Sequence, residues 1–505
     1  MAVDIGTDTA LCDRNDLDAF SDALRQSRAQ ARRSGNHVIV CCALPLTAAP
    51  CDLRSLFAVT DAYDVRWYWS DPDTHRNWCA FGAETVQEYD SLQPVAQAAQ
   101  ALVDLNRSVA RYGDAEPRWL AGFGFDPAQP RDDRWRNWPN GLLLLPRFVV
   151  EQQQGLPTTV TICVRVEAHT DTDELRTAVI AELNSALVRA RTGAARTPTA
   201  AAPLRQWAWA TATATEKAAA TEKVKAAAAN PVDQSASLAA WSDTAQRIVG
   251  DIRRGLYEKV VLARSERVSV QAFARLPEML QDLEARYGDG VVFAVARGGQ
   301  VFAGATPERL VQTRQGVVSI DCLAGTAPRG AAPEEDATFA DELLASRKNR
   351  EEHSFVLRGI LGDIAGAVDA IYFPDEPALR KLSNVQHLYT PVNGRLAPGM
   401  SVLDVVARLH PTPAVAGLPK QSALRIIRER EHMDRGWYAG PLGWIDGAGN
   451  GLFVVTLRSA LLDEHGADLF AGAGIVADSE PLAEWRETEW KMRPMRVALG
   501  QELIR

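Results

Sequence analysis

The stretch YEKVVLAR, residues 257–264, places a lysine at the entrance of an apolar run. The run VVLA, residues 260–263, predicts a buried β-strand. Because side chains alternate across a strand, Lys259 shares a face with Val261 and Ala263. A lysine at a strand end often extends its amine to solvent, and that interpretation stays open beside a functional one. The rest of the chain decides between them.

The composition is that of an ordinary globular protein. The chain has 505 residues, of which 46% are hydrophobic and 24% are charged, enough for one large core or for several domains. Its net charge of −9, with no compensating cluster of basic residues, excludes the electrostatic pattern of a nucleic-acid-binding protein.

The cysteines and the hydropathy pattern indicate a cytoplasmic protein. Seven cysteines include no CxxC pair and no zinc-type spacing with histidine, which is typical of reduced thiols. The N-terminal residues lack the basic and apolar regions of a signal peptide, and no run of eighteen apolar residues occurs. We therefore expect no membrane segment.

The order of the predicted elements favours an α+β fold. Residues 16–33 have helical spacing and predict an N-terminal helical extension over residues 1–35. Alternating apolar runs follow, and an Ala/Thr-rich stretch at about 195–231 predicts a flexible connector. Strand-like and helical segments are mixed after it without a βαβ alternation. This pattern predicts large antiparallel sheets with helices packed outside, in one catalytic domain over residues 36–505.

A second unusual stretch is DSEPLAEWRETEWKMRPM, residues 478–495, which predicts a helix with Ser479 as its N-cap. Glu484, Glu487 and Lys491 fall on one face of it, and a solvated charged face is the simplest interpretation. The preceding run LFAGAGIVA instead resembles a buried strand, and a cation between the two glutamates would remove their repulsion. Oxygen ligands favour Mg²⁺, with Glu351 or Glu352 as a third carboxylate.

Four further residues interrupt apolar surroundings. His387 in NVQHLYTPV is either a hydrogen-bonded core histidine or a binding residue. Tyr438 in RGWYAGPLGW is either core packing or a phenol donor. Arg458 in FVVTLRSALL breaks a predicted strand, where a buried arginine commonly binds a carboxylate. Glu308 in FAGATPERLV ends a strand, where burial would raise its pKa.

Nine segments, in order, resemble the chorismate-binding superfamily, which includes isochorismate synthases, salicylate synthases, the large subunit of anthranilate synthase and aminodeoxychorismate synthase. The segments are KVVLAR, FAGATPERLV, LAGTAPRG, SRKNREEH, NVQHLYTPV, LHPTPAVAGLPK, RGWYAGPLGWID, FVVTLRSAL and AGAGIVADSEPLAEWRETEWK. They occur in this order between residues 259 and 491. The resemblance implies two large stacked antiparallel sheets surrounded by helices.

The resemblance also implies a role for each site residue. Lys259 resembles the general base that activates water, and Glu308 resembles the general acid. The implied Mg²⁺ ligands are Glu352, Glu484 and Glu487. The implied substrate-binding residues are Tyr438, Arg458, Lys491, Gly472 and Gly474 around the carboxylates, and His387, Ala324, Gly325 and Thr326 around the ring. The substrate is chorismate, and no redox cofactor is implied.

Departures from other family patterns favour an isochorismate synthase that converts chorismate to isochorismate with Mg²⁺. Relatives that use ammonia lack a lysine at the place of Lys259, and aminodeoxychorismate synthases often have lysine where this chain has Ala324. Salicylate synthases have threonine where this chain has Ala414, and a carboxylate where it has Asn349. The alternatives are a salicylate synthase and a non-catalytic chorismate-binding subunit. We expect a monomer or a weak homo-oligomer that serves menaquinone or siderophore synthesis.

Overall fold

The computed structural model describes residues 12–47, 51–192, 234–381 and 385–501. The connector at 195–231 lies outside these ranges. The helices are α1 (Arg14–Ser34), α2 (Leu53–Val59), α3 (Pro94–Arg107), α4 (Thr172–Thr192), α5 (Gln234–Arg253), α6 (Leu276–Arg286), α7 (Pro333–Ala345), α8 (Arg347–Asp363), α9 (Val402–Leu409), α10 (Lys420–Arg430) and α11 (Pro481–Ala498). Within the described ranges, no helix is both long and apolar enough to cross a membrane.

The strands alternate with these helices along the whole chain. They are β1 (Val38–Pro45), β2 (Arg66–Asp71), β3 (Arg76–Tyr89), β4 (Val109–Tyr112), β5 (Arg118–Phe123), β6 (Gly141–Gln153), β7 (Thr159–Val166), β8 (Lys259–Val268), β9 (Val291–Arg297), β10 (Gln300–Thr306), β11 (Arg309–Arg314), β12 (Val317–Pro328), β13 (Val368–Tyr372), β14 (Ala378–Lys381), β15 (Val385–Leu396), β16 (Gly417–Leu418), β17 (Pro441–Asp446), β18 (Gly451–Val455), β19 (Ser459–Asp463) and β20 (Gly466–Ile475).

These strands form one hydrogen-bonded sheet with two halves. The first half-sheet runs β4–β1–β7–β6–β3–β2–β9–β10–β19–β20–β8–β16, and the second runs from β6 through β5–β17–β18–β11–β12–β15, with β13 and β14 on the far edge of β15. The long strand β6 joins them, because residues 141–144 pair with β5 and residues 148–151 pair with β7. Only β1 and β4 pair in parallel among the described strands.

The first half-sheet is covered on both faces. On β9, Phe293 and Val295 point into an inner core that also holds Leu442 and Val454 of the second half-sheet. The alternate residues of β9 point into an outer core beneath α1, α2, α4, α6 and α11. The strand therefore reads as a continuous apolar run, and the predicted α+β fold is confirmed.

Two neighbouring connections cross from one half-sheet to the other. The β10–β11 connection contains Glu308, and the β18–β19 connection contains Arg458. The backbone N–H of Val455 donates to the carbonyl oxygen of Glu308 at 3.0 Å, and that of Ala305 donates to the carbonyl oxygen of Arg458 at 3.3 Å. These hydrogen bonds hold both site residues between the halves.

Two local expectations were wrong. Arg458 does not lie inside a strand: its φ of 47° places it in the turn between β18 and β19. Glu480, not Ser479, is the N-cap of α11.

Candidate active site

Lys259 opens β8 and turns its amine toward the protein. Its Nζ lies 3.3 Å from Oε1 of Glu352 on α8, and only 17% of its side chain is exposed. Gly474 on the adjacent strand β20 makes room for it, because a Cβ added there would lie 2.9 Å from Cε of Lys259. The strand-end lysine therefore does not extend into solvent but contacts a carboxylate of the protein.

Substitution of Gly474 by alanine tests this close approach. The added methyl group would push the flexible end of Lys259 aside, which costs little stability but misplaces the amine. We expect kcat to fall roughly tenfold or more and the melting temperature to change little. Gly250→Ala on α5, where an added Cβ meets no atom within 4 Å, is the matched control. Wild-type kcat in Gly474→Ala would contradict the placement of the amine.

Glu308 is a carboxyl group whose environment favours the protonated form. Desolvation by the surrounding protein raises its pKa to about 7, while Lys491 and Lys259 oppose that rise through their charges. Part of Glu308 remains exposed to solvent. The free-energy cost of ionising its largely desolvated carboxyl group still dominates and raises the pKa. Glu308 is consequently about half protonated near pH 7, as a general acid requires.

The charged residues of α11 meet this pair from the other side. Nζ of Lys491 donates to the carbonyl oxygen of Gly472 at 2.9 Å and forms an ion pair with Glu487 at 2.7 Å. Glu484 accepts a hydrogen bond from the hydroxyl of Ser479 at 2.7 Å. Burial raises the pKa of Glu484, and the charge of Glu487 raises it further. Lys491 thus reaches β20 and its charge acts on Glu308, but 45% of its side chain and 43% of that of Glu487 are exposed, so this helix face is partly solvated.

The three proposed Mg²⁺ ligands have other partners in this arrangement. Glu352 contacts Lys259, Glu484 contacts Ser479, and Glu487 contacts Lys491. Nowhere in the described ranges do three acidic, histidine or cysteine side chains stand together as a ready metal site. The donor set nevertheless fits Mg²⁺ chemically, because it consists of carboxylate oxygens and because Glu484 and Glu487 repel each other. The magnesium site remains a prediction.

The residues predicted to line the ring meet at a bulge between β12 and β15. Gly325 has a φ of 76° and interrupts the register, so that Thr326 pairs with His387. The Thr326 hydroxyl and Nδ1 of His387 are 2.9 Å apart. Burial and, to a smaller extent, the charges of Arg458 and Lys491 together lower the pKa of His387 to about 4. His387 is thus neutral at pH 7 and lies close to the site cations.

Arg458 and Tyr438 present unused polar groups. Arg458 forms no hydrogen bond or ion pair through its side chain with any residue that the structure describes, and burial lowers its pKa. Tyr438 is buried and stacks on Phe470 at 5.3 Å between ring centroids. Its hydroxyl likewise has no hydrogen-bond partner among the described residues. The charge of Asp289 acts on Arg458, but a desolvated guanidinium with no carboxylate hydrogen-bonded to it among the described residues favours an anionic ligand.

Sequence reasoning missed two residues of this region. The Thr412 hydroxyl is buried without a hydrogen bond of good geometry to described residues, yet it lies close enough to lower the pKa of Glu308. His353 bridges the carbonyl oxygen of Ala324 and the hydroxyl of Thr390 at 3.3 and 2.7 Å. Thr412 precedes Ala414 by two residues, and the polar residue within the motif LHPTPAV was the available signal.

An amine and a carboxyl group with a raised pKa lie within electrostatic reach of each other, beside the cations Arg458 and Lys491, and together define an acid–base enzyme site for an anionic substrate. A family profile described as "Chorismate binding enzyme" matches residues 25–500. The chain belongs to the chorismate-binding enzyme family, and the resemblance inferred from its nine segments is confirmed.

Relatives match over most of the chain. It is 35% identical to the salicylate biosynthesis isochorismate synthase of Pseudomonas aeruginosa, over 96% of this chain and 95% of that protein. It is 31% identical to isochorismate synthase MenF of Bacillus subtilis, over 86% and 88%. The fold is similar to that of the menaquinone-specific isochorismate synthase MenF from Escherichia coli, with a TM-score of 0.68 at 23% identity over 94% of this chain and 100% of that chain.

Proposed function

We propose that the protein is an isochorismate synthase, which adds water at C2 of chorismate as the C4 hydroxyl leaves. The observation that carries the proposal is the proximity of Lys259 to a carboxyl group, Glu308, that is half protonated near pH 7. Full-length relatives that are named isochorismate synthases support it. Neither water nor a departing hydroxide reacts readily unaided, so the reaction needs both a base and an acid.

Lys259 accepts the proton that the reaction releases, and Glu308 donates the proton that it consumes. The Lys259 ammonium, which contacts Glu352, first gives up a proton to solvent, and the neutral amine then accepts a proton from the attacking water. Glu308 donates a proton to the C4 oxygen, which leaves as water. Its resulting negative charge lies near Lys491 and Thr412, both of which favour the ionised carboxylate. Proton return from Lys259 to Glu308 through solvent restores the starting state.

The remaining residues bind and orient a dianionic substrate. Arg458 and Lys491 supply positive charge, and the Tyr438 hydroxyl is free to donate to a carboxylate. His387 and Thr326 line the ring with Ala324 and Gly325. Ala414, on the loop before β16, leaves the pyruvyl ether without a polar neighbour at that position, which favours release of isochorismate over elimination of pyruvate.

Glu352, Glu484 and Glu487 would hold Mg²⁺, which would neutralise the ring carboxylate of the substrate. Glu484→Gln should raise the Mg²⁺ concentration for half-maximal activity roughly tenfold or more, because the amide gives up one negative charge. Glu480→Gln, an exposed residue beside the same helix, is the control. Full activity of the wild type in excess EDTA would dismiss the metal.

Product analysis tests the function directly. The enzyme is incubated with chorismate and Mg²⁺, and the products are separated by chromatography. Isochorismate without salicylate or pyruvate supports the proposal, and stoichiometric salicylate fluorescence identifies a salicylate synthase instead. Binding of chorismate without any turnover identifies a non-catalytic subunit. Since relatives include menaquinone-specific and vibriobactin-specific isochorismate synthases, we propose that the product feeds menaquinone or siderophore synthesis.

A further inference from the structure

A buried ion pair behind the site joins Glu431, just after α10, to Arg435. Nε of Arg435 donates to Oε1 of Glu431 at 2.7 Å, and Nη2 donates to Oε2 at 2.6 Å. The side chains are 2% and 0% exposed. The guanidinium lies over the ring of Phe125, 4.2 Å from its centroid. Such a bidentate, desolvated pair is geometrically rigid.

Glu431 and Arg435 provide hydrogen-bond partners for the part of β8 that has no neighbouring strand on one side. Strand β16 covers only Lys259 and Val260 on the open side of β8. Beyond it, Nη2 of Arg435 donates to the carbonyl oxygen of Val261 at 2.9 Å, and Oε2 of Glu431 accepts from the N–H of Ala263 at 2.8 Å. Buried backbone groups need such partners, so the two side chains replace the missing strand.

The same ion pair reaches three parts of the active site. Val261, which it holds, follows Lys259 by two residues. Nη1 of Arg435 donates to the carbonyl oxygen of Val415 at 2.8 Å, next to Ala414. The carbonyl oxygen of Arg435 accepts from the N–H of Tyr438 at 2.9 Å. The strand of the base and the Ala414 loop are thereby tied to one guanidinium, and Tyr438 is tied to the backbone of the same residue.

We propose that Glu431 and Arg435 are positioning residues, which fix the strand of Lys259, the Ala414 loop and Tyr438 in one catalytic register. The inference rests on the proposed function, because it assigns these residues to the same reaction. A purely structural pair would contribute stability alone. Apolar replacement of both residues removes the partners of the Val261 carbonyl and the Ala263 N–H, so it lowers stability in either case. The kcat of the folded variant therefore separates positioning from stability.

The test compares Arg435→Lys and the double variant Glu431→Met/Arg435→Met with the wild type. We expect kcat to fall about 10- to 100-fold in both, the loss that follows a displacement of about 1 Å, while the double variant stays folded. Arg118→Lys is the control, because Arg118 also pairs with a mostly buried glutamate, Glu151, but lies on β5, which carries no site residue. It should lower the melting temperature and leave kcat within about twofold.

A folded double variant with kcat within twofold of wild type would overturn the proposal. Should the double variant fail to fold, Arg435→Lys, assayed below its melting temperature, decides by the same criterion.

A second readout does not depend on turnover. It is the rate at which an N-hydroxysuccinimide ester acylates Lys259, followed by peptide mass spectrometry. We expect at least a threefold change in Arg435→Lys and none in Arg118→Lys. This labelling tests the positioning even if chorismate proves not to be the substrate.

Discussion

Replacement of Lys259 by methionine is expected to lower kcat for chorismate about 10²- to 10⁴-fold, the usual contribution of a general base. Methionine keeps the length of the side chain but cannot accept a proton. The change removes the ammonium that contacts Glu352 at 3.3 Å, so chorismate binding should change much less than turnover. The measurement is steady-state kinetics with isochorismate as the detected product.

A matched substitution excludes a general effect of losing a lysine. Lys420 begins α10 and forms an ion pair with Asp363 at 2.9 Å, but it belongs to neither the acid–base pair nor the substrate pocket. Lys420→Met should leave kcat within about twofold, since partly exposed pairs contribute little. If Lys259→Met retained wild-type kcat, Lys259 could not be the base, and its burial beside Gly474 would need another explanation.

The sequence predicted the site best where a residue is unusual for the strand or helix that carries it. Lys259 stands at the start of an apolar strand, and the small residues Gly472 and Gly474 lie on the neighbouring strand β20. This combination indicates a close approach, and the structure shows it between Lys259 and Gly474. Glu308 after Pro307 marks the end of β10. These features are local, so they can be read within a few residues.

Features that depend on distant contacts were not predictable. Glu431 and Arg435 are four residues apart, a spacing that indicates an exposed helix pair, and only the approach of β8 from about 170 residues earlier in the chain buries them. Arg458 follows an apolar run that resembles an uninterrupted strand, but the crossing between half-sheets ends β18 at Val455. Tertiary pairing, not local propensity, sets such boundaries.

Substitution of Glu308 by glutamine is expected to reduce kcat about 10²- to 10⁴-fold, because the amide cannot transfer a proton to the leaving oxygen. In the wild type, Glu308 acts in its protonated form and has a pKa of about 7. The wild-type kcat/KM should therefore fall as the pH rises through about 7. The residual activity of Glu308→Gln should lack this alkaline limb.

The same substitution should change how stability depends on pH. The pKa of Glu308 is about 7 in the folded protein against an ordinary value of 4.5, so its contribution to stability is complete below pH 4.5 and is lost as the pH rises through 7. At 1.36 kcal/mol per unit this amounts to about 3 kcal/mol. Relative to wild type, Glu308→Gln should gain about that much free energy of unfolding between pH 4.5 and 8, measured by urea denaturation. Glu278→Gln, at an exposed position on α6, should track the wild type throughout. A Glu308→Gln variant that also tracked it would show that the carboxyl is ionised at neutral pH and cannot be the acid.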